Sequence, residues 1–121
     1  MEETGAGAAT AAQLFALLWT ELVDVLGTAA AATLVRRAAK RGCTRLPELA
    51  DLRVVRQGWE YHYTLPAGWE RSAAAEIPEF AELLSAELAP LLREFTGDIV
   101  LKRLARVPGL GDLDAGRAEE T

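Results

Sequence analysis

Cysteine, histidine and methionine are scarce in this chain, with one residue of each among 121. The single thiol, Cys43, cannot close an internal disulfide, so the sequence does not predict a secreted scaffold held by cross-links. A metal site needs several ligands, and His62 has no second histidine or close cysteine pair to supply them. We therefore expect no metal and no cofactor, and we interpret Cys43 as an inert thiol.

Long apolar runs and an early basic region are also lacking. No lysine or arginine precedes Arg36, whereas a secretory signal begins with a positively charged region. The apolar stretch 14–26 is interrupted by Thr20, Glu21 and Asp24 and is too short to span a bilayer. These features favour a cytoplasmic protein without a membrane segment. The formal net charge of −5 argues against a general binder of nucleic acid or of membrane surfaces, because both use positive fields.

Catalytic patterns are missing as well. The chain has no glycine-rich phosphate loop, and the run Gly5-Ala6-Gly7 lacks the strand that precedes a dinucleotide loop. No paired acids are predicted to share a cleft. The one compact polar group that could serve an enzyme is Arg53, Glu60 and His62, and a solvated strand face explains it as well. We therefore expect a protein that is not an enzyme.

The N-terminal third of the chain has helical periodicity. Apolar residues recur at three- and four-residue steps over 11–26, after a candidate N-cap at Thr10. Gly27 fits the left-handed position at the end of this helix, and Thr28 can cap a second helix over 29–41. The small residues of the second helix predict close packing against the first as a helical hairpin.

Two further helices are predicted near the C-terminus. The first runs over 78–95 and contains Pro90, which predicts a kink or a break near 86–90. The second runs over 99–107. The acidic residues expected on the wet face of the longer helix are Glu79, Glu82 and Glu87.

Residues 52–65 predict a β-hairpin, because β-branched and aromatic residues flank Gly58. A two-residue turn at Gln57-Gly58 would place Val54 opposite Tyr61. The apolar face would then contain Leu52, Val54, Trp59, Tyr61, Tyr63 and Leu65. The polar face would contain Arg53, Val55, Glu60, His62 and Thr64.

The length and the apolar content fit one domain. We predict a flexible leader over residues 1–9, a single compact domain over 10–108 and a flexible acidic tail over 109–121. The predicted fold class is α+β and mostly helical. It consists of an N-terminal helical hairpin, one antiparallel β-hairpin and two C-terminal helices that cover the aromatic face of the hairpin.

The two-stranded hairpin suggests a function. An isolated hairpin leaves two strand edges without partners, and pairing of one edge with a second copy would give a symmetric dimer. The leading hypothesis is a non-enzymatic protein-interaction or regulatory module, acting as a homodimer or as an adaptor to a protein partner. The residues expected on its interaction surface are Arg36, Arg37, Lys40, Arg41, Arg53, Glu60, His62 and Trp69.

Two alternatives remain at this point. The basic end of the helix 29–41 could contact DNA, although the start of that helix offers only alanines as base readers and the net charge is acidic. A small-ligand sensor could also use a pocket between the aromatic face of the hairpin and the third helix.

Overall fold

The computed structural model describes residues 9–107 and Leu110. Four helices and one antiparallel β-hairpin confirm the predicted α+β class. In chain order the elements are α1 (Ala11–Leu26), α2 (Thr28–Gly42), a 3₁₀ turn (Pro47–Asp51), β1 (Arg53–Gln57), β2 (Glu60–Thr64), a 3₁₀ turn (Ala74–Glu76), α3 (residues 78–96) and α4 (Ile99–Ala105). Most of the predicted leader and tail lies outside the described residues. Leu110, which the sequence assigned to the tail, is buried in the core.

The start of α1 is closed by a capping box. The hydroxyl of Thr10 accepts the backbone N–H of Gln13 at 3.1 Å, and the Gln13 side chain accepts the N–H of Thr10 at 2.9 Å. Gly27 ends the helix with a positive φ of 90°, although its ψ of 159° differs from that of the predicted left-handed cap. Thr28 is the first helical residue of α2 and its side chain makes no capping hydrogen bond, so the predicted cap at Thr28 is wrong.

The loop after the hairpin folds over the N-terminus of α1. The N–H of Ala11 donates to the carbonyl of Ser72 at 3.2 Å, and the N–H of Ala12 donates to the carbonyl of Trp69 at 2.9 Å. The first N–H groups of a helix have no partner within the helix, so the loop supplies acceptors that the helix itself lacks. This attachment draws Trp69 into the core.

The middle layer of the fold is α2, which packs against α1, α3, the first 3₁₀ turn and β1. Its buried face is made mainly of alanines together with Leu34 and Val35. At its end, Gly42 leaves no room for a side chain. A Cβ atom there would lie 2.6 Å from Cδ1 of Leu49 and 3.3 Å from Cγ of Glu87. The absence of a side chain therefore lets α3 and the 3₁₀ turn approach α2 closely.

Pro90 lies inside α3, and the helix accommodates it with a π-helical turn. The helix is α-helical over Pro78–Glu82, π-helical over Leu83–Leu88 and α-helical again over Ala89–Thr96. A proline removes one backbone donor and crowds the preceding turn. The wider turn directly before Pro90 absorbs this disturbance. The helix continues through Pro90, so the predicted break does not occur.

The hairpin has a different register from the predicted one. Its two-residue loop is Gly58-Trp59 rather than Gln57-Gly58, so Val54 pairs with Tyr63 and not with Tyr61. Gly58 has φ of 63° and stands first in the loop, which suits a type II′ turn. The shift is two residues and preserves the alternation of the strands.

Trp59 was predicted on the apolar face, and this prediction is wrong. The residue belongs to the turn and is 93% exposed. The predicted packing of the hairpin is also wrong, because its aromatic face covers α1 rather than the C-terminal helices. Tyr63 lies with its ring centroid 4.7 Å from that of Phe15 and 5.6 Å from that of Trp19. The predicted pocket between this face and the third helix stays a prediction.

Candidate functional site

The outer edge of β2 presents backbone groups without partners. The two residues that flank a two-residue loop form a hydrogen-bonded pair. Along the ladder, non-hydrogen-bonded and hydrogen-bonded pairs then alternate. Val54 opposite Tyr63 and Arg56 opposite Tyr61 are therefore the non-hydrogen-bonded pairs, whose N–H and C=O groups point away from the hairpin. Neither Tyr61 nor Tyr63 uses these outward groups in a hydrogen bond with another described residue.

The outer edge of β1 is partly covered. The side chain of Arg36 in α2 donates from Nε to the carbonyl of Val54 at 2.8 Å. This contact confirms that the carbonyl of Val54 points outward. The hairpin therefore has one edge against α2 and one open edge along β2.

The polar face of the hairpin carries the strand residues expected on the interaction surface. Glu60 and His62 are exposed, and Oε1 of Glu60 lies 3.4 Å from Nε2 of His62. Arg53 is exposed on the same face. Its cross-strand partner is Thr64, whereas the predicted register placed it opposite His62. Because the three residues lie along an open strand surface, they form no enclosed polar site.

The four basic residues of α2 are exposed but have different surroundings. Arg36 is bound to Val54, and Nε of Arg41 lies 3.6 Å from Oε1 of Glu87. Arg37 and Lys40 form no ion pair with a described acid. The basic cluster is therefore partly used in holding the fold together.

The expected role of Trp69 on the surface is wrong. The residue is 1% exposed, and its ring lies 5.4 Å from that of Phe80 between centroids. Burial follows from the attachment of the loop to α1, which no local sequence pattern indicated.

A buried acid in α3 was missed by the sequence analysis. Glu87 was predicted on the wet face of its helix, but it is 4% exposed and accepts a hydrogen bond from Nη2 of Arg45. The same guanidinium also donates a hydrogen bond to Glu82. The pKa of Arg45 is raised above its ordinary value mainly by the hydrogen bond with Glu87 and next by the one with Glu82. The signal was available, because Glu87 lies four residues from both Leu83 and Leu91 on the apolar stripe.

A groove of about 350 Å³ lies between α2, the first 3₁₀ turn and β1. Its exposed basic lining consists of Arg36, Lys40 and Arg53. Cys43 also lines the groove, and its thiol donates to the carbonyl of Lys40 at 3.1 Å. The buried residues of the lining are Ala39, Leu49, Leu52 and Val54.

In the part of the chain that the structure describes, no three histidine, cysteine, aspartate or glutamate side chains come close enough together to hold a metal ion. None of the helices formed by these residues has both the length and the apolar character needed to cross a membrane. Comparisons of the chain with protein families, with curated proteins and with solved structures found no match.

Proposed function

We propose that this protein is a non-enzymatic interaction module that acts as a homodimer through the open edge of β2. The observation that carries the proposal is the pair of outward-facing backbone positions, Tyr61 and Tyr63, which have no partner among the described residues. Exposed strand edges of this kind readily pair with another strand. A second copy offers the same edge, so two chains can form one four-stranded sheet.

The spacing of the free groups selects one register. Antiparallel pairing of β2 with its copy places Tyr61 opposite the partner's Tyr63, with the two-fold axis at His62. This register forms two backbone hydrogen bonds at each of two equivalent pairs, all within the strand. Centring the axis on either tyrosine instead would require residues outside β2 to complete the ladder.

The charges of the strand are compatible with this register. Glu60 comes opposite the partner's Thr64, so no carboxylates face each other directly. Each His62 has the partner's Glu60 as a diagonal neighbour on the polar face, at a distance that long side chains can span. The pairing therefore puts no two carboxylates directly opposite each other, and each His62 faces the partner's His62 across the axis.

The exposure of Trp59 also supports self-association. In this register Glu60 faces the partner's Thr64. The next residue, Trp59, then comes opposite the partner's Leu65. A tryptophan that is 93% exposed in one chain would thereby gain an apolar neighbour from the other. Tryptophan and tyrosine are enriched in contacts between proteins.

Sedimentation velocity and light scattering over a range of concentrations test this proposal. We expect a dimer for the unmodified chain and a monomer for Tyr61→Pro, since proline removes the outward N–H without removing a donor from the hairpin ladder. Arg56→Pro is the matched control. Arg56 is the cross-strand neighbour of Tyr61, and its outward N–H lies on the β1 edge. Because the proposed dimer does not use that edge, this variant should remain a dimer. A monomeric unmodified chain, or equal loss of dimer in both folded variants, would contradict the proposal.

A further inference from the structure

We infer that the groove between α2 and β1 binds a small amphipathic carboxylate. The groove is open to solvent and bounded by three elements, and its buried lining is apolar. Its basic residues, Arg36, Lys40 and Arg53, are exposed and come from two different elements. An apolar floor below a basic rim suits a ligand with an apolar body and an anionic head.

The charge of the groove is not compensated locally. None of its nine lining residues is acidic. Lys40 and Arg53 lie more than 4 Å from every acidic group among the described residues, while Arg36 uses Nε to hold Val54. In a protein of net charge −5 this is a local positive site. Lys40 and Arg53 are therefore the residues that we assign to the anionic head.

The dimensions of the groove favour a small molecule over a peptide. Along α2 and its C-cap the lining extends from Arg36 to Cys43, which corresponds to about 10 Å of helix. An extended peptide covers that length with about three residues. The volume of about 350 Å³ lies at the lower end of the range of small-molecule sites, about 300–1,000 Å³. A short aliphatic or single-ring carboxylate matches this space.

Cys43 provides a reporter at the site itself. It is the single cysteine of the chain and lines the groove. Alkylation of the full-length protein by iodoacetamide, a neutral reagent, should slow in a saturable manner as octanoate is added at monomeric concentrations. Acetate, which has the head without the body, and 1-octanol, which has the body without the head, should protect much less.

Substitutions at the rim separate binding from general effects. Lys40→Gln and Arg53→Gln should each raise the octanoate concentration for half-protection about tenfold. Arg37→Gln is the matched control, because Arg37 is an exposed base of α2 that does not line the groove. The midpoint of protection is compared rather than the alkylation rate, since loss of a nearby charge can alter the reactivity of the thiol.

The inference is overturned by any of three results: no protection by octanoate, equal protection by 1-octanol, or an equal shift of the midpoint in Arg37→Gln. The groove shares no residue with the outer edge of β2. Binding of octanoate to a monomeric chain would therefore support this inference while contradicting the proposed dimer.

Discussion

Tyr63 of β2 meets Phe15 of α1 edge-on, with ring centroids 4.7 Å apart and ring planes at 72°. Trp69, brought over α1 by the loop after the hairpin, also lies edge-on to Phe15 at 6.4 Å. The ring of Phe15 thus joins the strand, the helix and the loop. This relationship fixes the hairpin on the N-terminal helices and leaves the outer edge of β2 free.

The contact of Tyr63 with Phe15 should stabilise the fold beyond the burial of its area. We expect a double-mutant cycle of Tyr63→Leu and Phe15→Leu to give a coupling energy of about 0.5–1.5 kcal/mol. Urea unfolding of the four proteins measures it. Additive effects of the two substitutions would show that the rings do not interact in solution.

Replacement of Gly42 by alanine should destabilise the protein. The new Cβ would overlap with Leu49 and crowd Glu87, and overpacking of this kind costs about 1–3 kcal/mol. At a helical position with free space around it, the same substitution would instead stabilise the protein, since alanine is favoured over glycine by about 0.5–1 kcal/mol. Urea unfolding distinguishes the two outcomes. In the double variant with Leu49→Ala the cost should be smaller than the sum of the single costs.

The stability of the protein should respond to the acid pair between the first 3₁₀ turn and α3. The pKa of Glu48 is raised above its ordinary value of 4.5. The largest cause is a hydrogen bond with the carboxyl of Glu79, and the next is charge repulsion from the same carboxyl. A raised pKa means that the folded state holds the proton more tightly than the unfolded state. The contribution to stability is therefore present below pH 4.5 and is lost as the pH rises through the folded-state pKa.

Glu48→Gln tests this relationship. We expect it to raise the melting temperature at pH 7, because it removes the charge repulsion between Glu48 and Glu79, and to lose that advantage below pH 4.5. Glu70→Gln, at an exposed position in the loop, is the control and should show no such dependence on pH. An equal response of the two variants would indicate that the pair of Glu48 with Glu79 does not form.

Local patterns in the sequence predict most of the elements. The bounds of α1 agree with the prediction, and those of α2 differ by one residue at each end. These helices are specified by short-range signals, such as the capping hydroxyl of Thr10 and the positive φ of Gly27. The existence of the hairpin and the sorting of its strand residues between two faces follow from alternation in the same way.

The register could not be read from the sequence, because two turns fit it. Gly58 can stand second in a Gln57-Gly58 loop or first in a Gly58-Trp59 loop, and both place glycine where φ is positive. The two registers differ by two residues and keep the strand faces unchanged. Trp59 therefore changes from an expected core residue to an exposed turn residue without any conflict elsewhere in the hairpin.

Features that depend on contacts between distant elements were also missed. The partner of Glu87 was missed in this way, because Arg45 lies far away in the sequence. Trp69 is buried because its loop supplies acceptors to the start of α1. Periodicity indicates which face of an element is apolar, but it does not identify the element that covers the face.

Disulfide trapping across the two-fold axis tests the proposed dimer most directly. In a Cys43→Ser background, His62→Cys would place two thiols in a non-hydrogen-bonded pair with Cα atoms about 4.5 Å apart, within the range of a disulfide. Glu60→Cys is the control, since Glu60 comes opposite the partner's Thr64 and the two Glu60 positions would lie about 13 Å apart. We expect a covalent dimer on mild oxidation of His62→Cys and none for Glu60→Cys. Failure of His62→Cys to cross-link, or equal cross-linking at both positions, would contradict it.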